Sequence, residues 1–300
     1  MSARVNILEG FERTPFLRFT SYLTARQLDG KEGKVLFGAT CDGLPAGLLA
    51  ISPDKDQKSG SIKSLFVDTP LRRMGVGRLL LEKAQEFASQ SHWEKLGVTW
   101  FHDALFAADI EAFFKAMDFS APKTNSTLFR ASQAALQMAC ETRIRESAPG
   151  ITMFAWAERT AADEVAMKDL KEEHEIDDGL HMDGETFLPI SEETSLGLRQ
   201  DGRLAGWMIH HHVSADCVRY SSLWVSPALI ERGFGISLAI ASARRQHAVA
   251  NEIPRFTFLV ANNNDAMHRF VSRRFQGGAL DSTSKILQSE KILNHQHPAR

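Results

Sequence analysis

Apolar positions change period along this chain, and the changes mark out its elements. Residues 194–199, 203–213 and 217–225 are apolar-rich runs bounded by turn signals and read as strands, with Asp201-Gly202 as a hairpin turn between the first two. So short a connection forces antiparallel pairing. After Gly235 the spacing becomes four, three and four, at Ile236, Ile240, Ala243 and His247, which is the period of a helix with one buried stripe. The same order occurs earlier: strands near 34–41 and 45–52 joined by Asp42-Gly43, a strand at 61–67, and a helix from about 76 that carries Leu80, Ala84, Phe87 and Ala88 on one side. Each series continues with a strand, 96–101 or 255–260, and a helix, 108–117 or 264–273. The predicted fold class is α/β of the α+β kind, a mixed and mostly antiparallel sheet flanked by helices, built twice.

The repetition is also one of residues. At an offset of 158, residues 64–80 align with 222–238 without a gap, and seven of the 17 positions are identical: Ser64/Ser222, Leu65/Leu223, Val67/Val225, Leu71/Leu229, Gly75/Gly233, Gly77/Gly235 and Leu80/Leu238. The turn-prone stretch 146–150 separates the copies. Two domains are therefore expected, at 1–135 and 145–290, as a tandem duplication.

Composition narrows the function. The 35 Lys and Arg balance 37 Asp and Glu to a net charge of −2, so no overall field draws the chain to nucleic acid or anionic lipid, and neither is expected as a partner. No apolar run is long enough to span a bilayer, and residues 1–16 lack the apolar core of a signal peptide. Cys41, Cys140 and Cys217 lie far apart, which suits reduced thiols and a cytoplasmic location.

In both copies a loop leaves a strand and opens a helix. In the first it carries Arg72-Arg73-Met74-Gly75-Val76-Gly77, where free N–H groups and the helix dipole favour an anion and glycine admits close approach. A tight turn alone would also use two glycines, but the repeat favours a pyrophosphate site. The ATP-binding P-loop pattern is absent, and Leu80 and Leu238 stand where a dinucleotide fingerprint needs its third glycine.

A strand, a Gln/Arg-x-x-Gly-x-Gly loop, a helix, and then a further strand and helix resemble the Gcn5-related N-acetyltransferase (GNAT) family. Ser64 to Gly77 and Ser222 to Gly235 carry the resemblance, and Asn263 to Phe270 with Phe275 resembles the family's second signature. The resemblance implies two tandem GNAT folds that use acetyl-CoA or another acyl-CoA. It places Leu65, Phe66 and Val67, or Leu223, Trp224 and Val225, along pantetheine. Arg72, Arg73, Met74, Gly75, Val76, Gly77 and Arg78, or Glu231, Arg232, Gly233, Phe234, Gly235 and Ile236, would surround phosphate, with Asn263 and Phe270 at the thiol end. Departures accompany it: Ile230 replaces the motif's first residue in the second copy, Ala107 replaces Asn in the first, and Phe114 and Phe270 stand where many members have an acidic tyrosine. One catalytic and one structural domain is the implied outcome.

Acetyl transfer to an amine needs a proton acceptor, a polarised carbonyl and a stabilised thiolate. The candidates are His210 and His212, which alternation sends to one face with His211 on the other, together with Tyr220 and Glu185. Consecutive strand histidines cannot converge on one ion, so no metal is expected. Residues 163–193 hold twelve acids against two lysines, a local net of −10. A solvated helix surface explains residues 163–175 as well as function does. The loop with His181, Asp183, Glu185 and Phe187 is expected to bind the acceptor, a small-molecule amine. The leading reading is thus an acyl-CoA-dependent N-acyltransferase with its chemistry in the C-terminal domain; the alternative is a non-catalytic acyl-CoA-binding or interaction module.

Overall fold

The protein is described by a computed structural model, which covers residues 2–20, 34–54, 57–145, 148–176, 188–275 and 278–293. The chain forms two compact units, residues 1–125 with 285–300, and residues 126–284.

Unit 1 contains β1 (Ala3–Ile7), a 3-10 segment at Gly10–Phe19, β2 (Val35–Cys41), β3 (Leu44–Pro53), β4 (Ser59–Val67), α1 (Val76–Gln90), β5 (Lys95–Phe101) and α2 (Ala107–Ala116). Strands β1 to β4 pair antiparallel in order, and β5 joins β4 in parallel. The strand on the far side of β5 comes from the other end of the sequence: Ile286–Ile292 pairs antiparallel with it.

Unit 2 takes part of β6 (Lys123–Ala131), then α3 (Gln133–Glu141), β7 (Ile151–Ala155), α4 (Ala161–Glu173), β8 (Leu196–Gln200), β9 (Arg203–Ser214), β10 (Cys217–Val225), α5 (Phe234–Ala248), β11 (Arg255–Ala261), α6 (Asp265–Arg274) and the start of β12 (Leu280–Ile292). Here β7 to β10 are antiparallel, β11 is parallel to β10, and β6 closes the order antiparallel to β11. The strands of the two units thus follow the same plan. The division expected at 1–135 and 145–290 follows the repeat, whereas each compact unit draws its sixth strand from outside its own copy.

Local sequence accounts for the shared plan. Asp42-Gly43 and Asp201-Gly202 have φ of 48° and 84°, and 50° and 80°, the left-handed pair whose twist matches the strands that a two-residue hairpin joins. Helix α1 buries Val76, Leu80, Leu81, Ala84 and Ala88 against Phe37, Leu49, Ile51, Leu96 and Val98, and each buried leucine contributes roughly 2 kcal/mol. Helix α5 buries Phe234, Leu238, Ile240 and Ala243, but also Ser237, Ser242 and Gln246, while Ile236, expected on the buried stripe, is exposed. Its hidden face is partly polar, and a purely apolar period does not find it.

The opposite sheet face in unit 2 carries Trp156, Trp207 and Ile209 under Met167 of α4. That helix starts on a capping box between Thr160 and Asp163, and buried Asp163 also binds Arg199 at 2.6 Å. The Arg199 guanidinium holds the Asp163 carboxyl down at about 2, against desolvation that would raise it.

Candidate active site

In both units the fourth and fifth strands of the sheet run together only briefly. Parallel pairing covers Ser59–Ile62 with Lys95–Val98, and Cys217–Tyr220 with Arg255–Phe258. Past Ile62 and Tyr220 the strands part into a fork. At both branch points the ladder to the preceding strand skips a residue, Lys63 in unit 1 and Ser221 in unit 2, and these positions are 158 apart. A bulge bends and twists its strand, so the same irregularity opens the fork in each copy. The freed edge of Leu65–Val67 or Leu223–Val225 can pair with an extended ligand chain.

Beyond each fork a helix begins on a left-handed glycine, Gly75 with φ 85° or Gly233 with φ 83°. The first N–H groups of α1 and α5 have no partner within their helices and point to the loop side. Space around the two loops differs. A side-chain carbon at Gly75, Gly233 or Gly235 would meet nothing within 4 Å, so the difference lies at the second glycine, where one at Gly77 would touch Phe113 and Val67 at 3.6 Å.

Unit 1 fills its own fork. Arg72 Nε donates to the Val67 carbonyl at 3.0 Å, and its guanidinium lies 5.1 Å from the Phe66 ring and 5.5 Å from the Phe106 ring. Phe66 also stacks on Phe19. Arg73 is paired with Asp109, Met74 is exposed, Val76 is buried and Leu65 packs against the core. Arg78, in the first turn of α1, is exposed.

In unit 2, Arg143, Arg145 and Arg232 line an open concavity with Gly233 and Ile236. Arg145 and Arg232 lie 6.0 and 5.4 Å from the ring of buried Phe234, and the Arg145 backbone N–H donates to Ser237 Oγ at 3.1 Å. Glu231 is exposed, Val225 is buried, Leu223 packs partly on the core, and Trp224 stacks on Trp207 at 4.8 Å. Sequence reading missed Arg143 and Arg145 because they belong to the connecting segment, some ninety residues before the loop they reach; the basic pair ahead of the turn stretch was the available signal. An open fork, a glycine-flanked helix start and three guanidinium groups fit a ligand with an extended arm and a pyrophosphate.

At the thiol end, Asn263 is exposed, and Asn264 is the residue that caps α6, its Oδ1 accepting from the Met267 N–H at 3.0 Å. Phe270 packs with Phe129 and Val260, and Phe114 is buried against Trp100 and Phe119.

The expected proton-handling set divides on inspection. His210 and Tyr220 do not face a cleft; they lie beneath α5. His210 is fully buried, shares hydrogen bonds with Thr194 Oγ1 at 2.8 Å and Ser242 Oγ at 3.1 Å, and stacks on Tyr220 at 3.8 Å. The Tyr220 hydroxyl donates to Gln246 Oε1 at 2.8 Å. Burial drives the His210 pKa well down and the Tyr220 pKa well up, so both are neutral fixtures of the interior. His212 has the same parity but lies at the strand's end, bonded to Glu193 at 3.1 Å, so it does not form a linked pair with His210. Alternation was read correctly, but the helix covers the chosen face.

His211 is on the other face, buried, with Nδ1 2.9 Å from Ser221 Oγ at the bulge. The residues His181, Asp183, Glu185 and Phe187 lie outside the described residues. Among the described acids, Glu164 and Glu192 both pair with Arg159, so part of the acidic stretch is structural. No group of three described His, Cys, Asp or Glu residues is arranged to hold a metal ion. No described helix is long and apolar enough to cross a membrane.

Residues 5–119 match the model of the acetyltransferase (GNAT) family. The whole chain superposes on the whole of a tandem GNAT protein from the clavulanic acid biosynthesis pathway, with a TM-score of 0.70 and 14% identity. It also resembles a probable N-acyltransferase from Enterococcus faecalis V583, with a TM-score of 0.60, 12% identity, and 99% of this chain and 74% of that one covered. A GCN5-related N-acetyltransferase from Sphaerobacter thermophilus is similar over 90% of this chain and 85% of its own, with a TM-score of 0.57 and 12% identity. No curated protein matches. The repeated fork, the repeated glycine loop and these likenesses agree on the fold: residues 5–119 match the GNAT acetyltransferase family, and the chain as a whole has the fold of a tandem GNAT protein.

Proposed function

We propose that this protein is an acyl-CoA-dependent N-acyltransferase that moves acetyl from acetyl-CoA to the amine of a small molecule, with binding and chemistry in unit 2. The layout resembles that of mycothiol synthase. One observation carries the choice of unit: unit 2 is open at Gly235, while at the equivalent place in unit 1 Phe113 lies against Gly77 and Arg72 occupies the Val67 carbonyl.

Acetyl-CoA supplies an activated thioester. The chain's own residues then have three tasks. The Leu223–Val225 edge aligns the pantetheine arm, the α5 N-terminus with Arg143, Arg145 and Arg232 takes the phosphates, and the bulged backbone at the branch point presents an N–H to the carbonyl oxygen. Asp183 and Glu185 attract and orient a cationic acceptor, and Asp183→Asn with Glu185→Gln raises the acceptor KM. Free cysteines, with Cys41 and Cys217 buried, suit a reducing compartment such as the cytosol.

Calorimetry with CoA tests the choice of unit. Gly233→Glu puts a side chain and a charge where phosphate belongs and lowers affinity at least ~100-fold, whereas Gly75→Glu changes it less than about threefold. The reverse ranking moves the site to unit 1, and retained binding in the double variant removes the CoA reading. The second reading, a non-catalytic acyl-CoA module, is favoured by the two phenylalanines at the tyrosine position; binding without thiol release across a panel of amines would establish it.

A further inference from the structure

Unit 2 has no tyrosine at Phe270 to protonate the leaving sulfur, and Tyr220 is locked under α5. The fork nevertheless carries a hydroxyl at its branch point. Ser221 is the residue that the β9–β10 ladder skips, one position past the last parallel pair, Tyr220 with Phe258. Its Oγ lies 2.9 Å from His211 Nδ1 and 3.2 Å from the Arg219 carbonyl. A bulge re-aims the side chain it carries. His211 is buried on β9 with its Nδ1 engaged by Ser221, which suits a group that must hold another in place.

Unit 1 is the internal control. With the offset of 158, Ser221 corresponds to Lys63, which is exposed, and His211 to Pro53. The bulge itself is common to both copies; the hydroxyl and imidazole occur only in unit 2, where the fork is open. Structural need for the bulge therefore does not explain the pair.

Resting on the acyltransferase reading above, we propose that Ser221 is the acid that protonates the departing CoA sulfur, and that His211 is the positioning residue that aligns and reloads it. As the C–S bond breaks, Ser221 Oγ gives its proton to sulfur and takes the Nδ1 proton of neutral His211. Nε2 of His211 takes up the proton shed by the acceptor nitrogen as the new C–N bond forms, so the buried imidazole carries no net charge through the step. Amine and thioester become amide and thiol, with no other reactant. The charged group facing His211 is Arg219, its register partner on β10; His210 and His212 flank it on β9, with Glu193 engaged by His212.

The first measurement needs no acceptor. The thiol of bound CoA is titrated by its ultraviolet thiolate absorbance, and calorimetry measures CoA affinity in the same proteins. Ser221→Ala raises the bound thiol's ionisation by about one pH unit, a tenfold loss of thiolate stabilisation, with CoA affinity changed less than about threefold. Ser221→Thr, which keeps the hydroxyl, restores it. His211→Asn, which keeps an N–H near the Nδ1 position but cannot ionise, retains the low thiol ionisation yet flattens the acid limb of thiol release with any amine the enzyme accepts. Identical thiol titrations in the wild type and Ser221→Ala, with CoA still lost in Gly233→Glu, overturn the relay and leave the acyltransferase reading intact. Failure of the wild type to bind CoA, or loss of binding in Gly75→Glu alone, overturns the reading on which the relay rests.

Discussion

Two copies of one plan have diverged at the places where a ligand would enter. Both units keep the bulge, the brief parallel pairing and the left-handed glycine, because these features belong to the backbone and serve the sheet as well as any site. Side chains around them have gone separate ways. Unit 1 satisfies its own strand end with Arg72 and surrounds it with Phe66, Phe106 and Phe113; unit 2 leaves Gly235 open and sets Ser221 and His211 at the branch point. Conserved backbone geometry in a duplicated fold therefore speaks for ancestry, and the side chains inside the fork speak for present use. The family match covers residues 5–119, so it and the more open glycine loop fall in different units.

The largest expected effect separates the units by their borrowed strands. Ending the chain after Ser284 removes the strand that pairs with β5 and exposes that strand's edge, so unit 1, at the other end of the sequence, loses its cooperative structure. Limited proteolysis and near-ultraviolet dichroism would report it, since Trp93 and Trp100 are buried in unit 1. Loss confined to residues 126–284 would contradict the exchange.

A smaller effect should be confined to unit 2. Asp163→Asn leaves Arg199 without its carboxylate partner and weakens the start of α4, at a cost of about 3 kcal/mol in denaturant unfolding. The sign with pH follows from a carboxyl whose folded pKa, about 2, lies below its unfolded value. Its contribution is complete above roughly pH 5 and declines as pH falls toward 2. A variant as stable as the wild type at neutral pH would reduce the pair to surface decoration.

The most gradual effect is acid sensitivity from His210. A histidine held neutral in the fold binds its proton only after unfolding, so unit 2 loses about 1.4 kcal/mol per pH unit below roughly pH 6.5. Unit 1 has Ser52 at the equivalent position and lacks this slope. His210→Gln should remove the dependence while lowering stability at neutral pH, because Thr194 and Ser242 lose a well-placed partner. An unchanged slope would show that another group governs it.

Much of the fold was legible because it depends on local chemistry. Asp-Gly turns, alternating strands and the stripe on α1 announce themselves within a few residues, and the duplicate confirms each reading. What escaped depends on distance along the chain. Nothing near residue 286 says that it pairs with residue 101, and nothing in Arg143 or Arg145 points to the loop at Gly233. The histidine run was a different failure: alternation separated His211 from its neighbours correctly, but only the packed structure shows that α5 buries polar residues and so claims His210. The phosphate loops were visible as glycines; whether the space beside them was free was not.

The exchanged strand also sets an order of events at the ribosome. Residues 1–125 emerge first, yet their sheet waits for Ile286–Ile292, which lies about 160 residues downstream. At ordinary elongation rates that interval is roughly 10–30 s, during which β5 has no neighbour on its outer side and remains an open template. Unit 2 has β6 available before its own strands are made. The half translated first is thus the half completed last, and the nascent N-terminal unit is where a chaperone or a misplaced strand finds its opportunity.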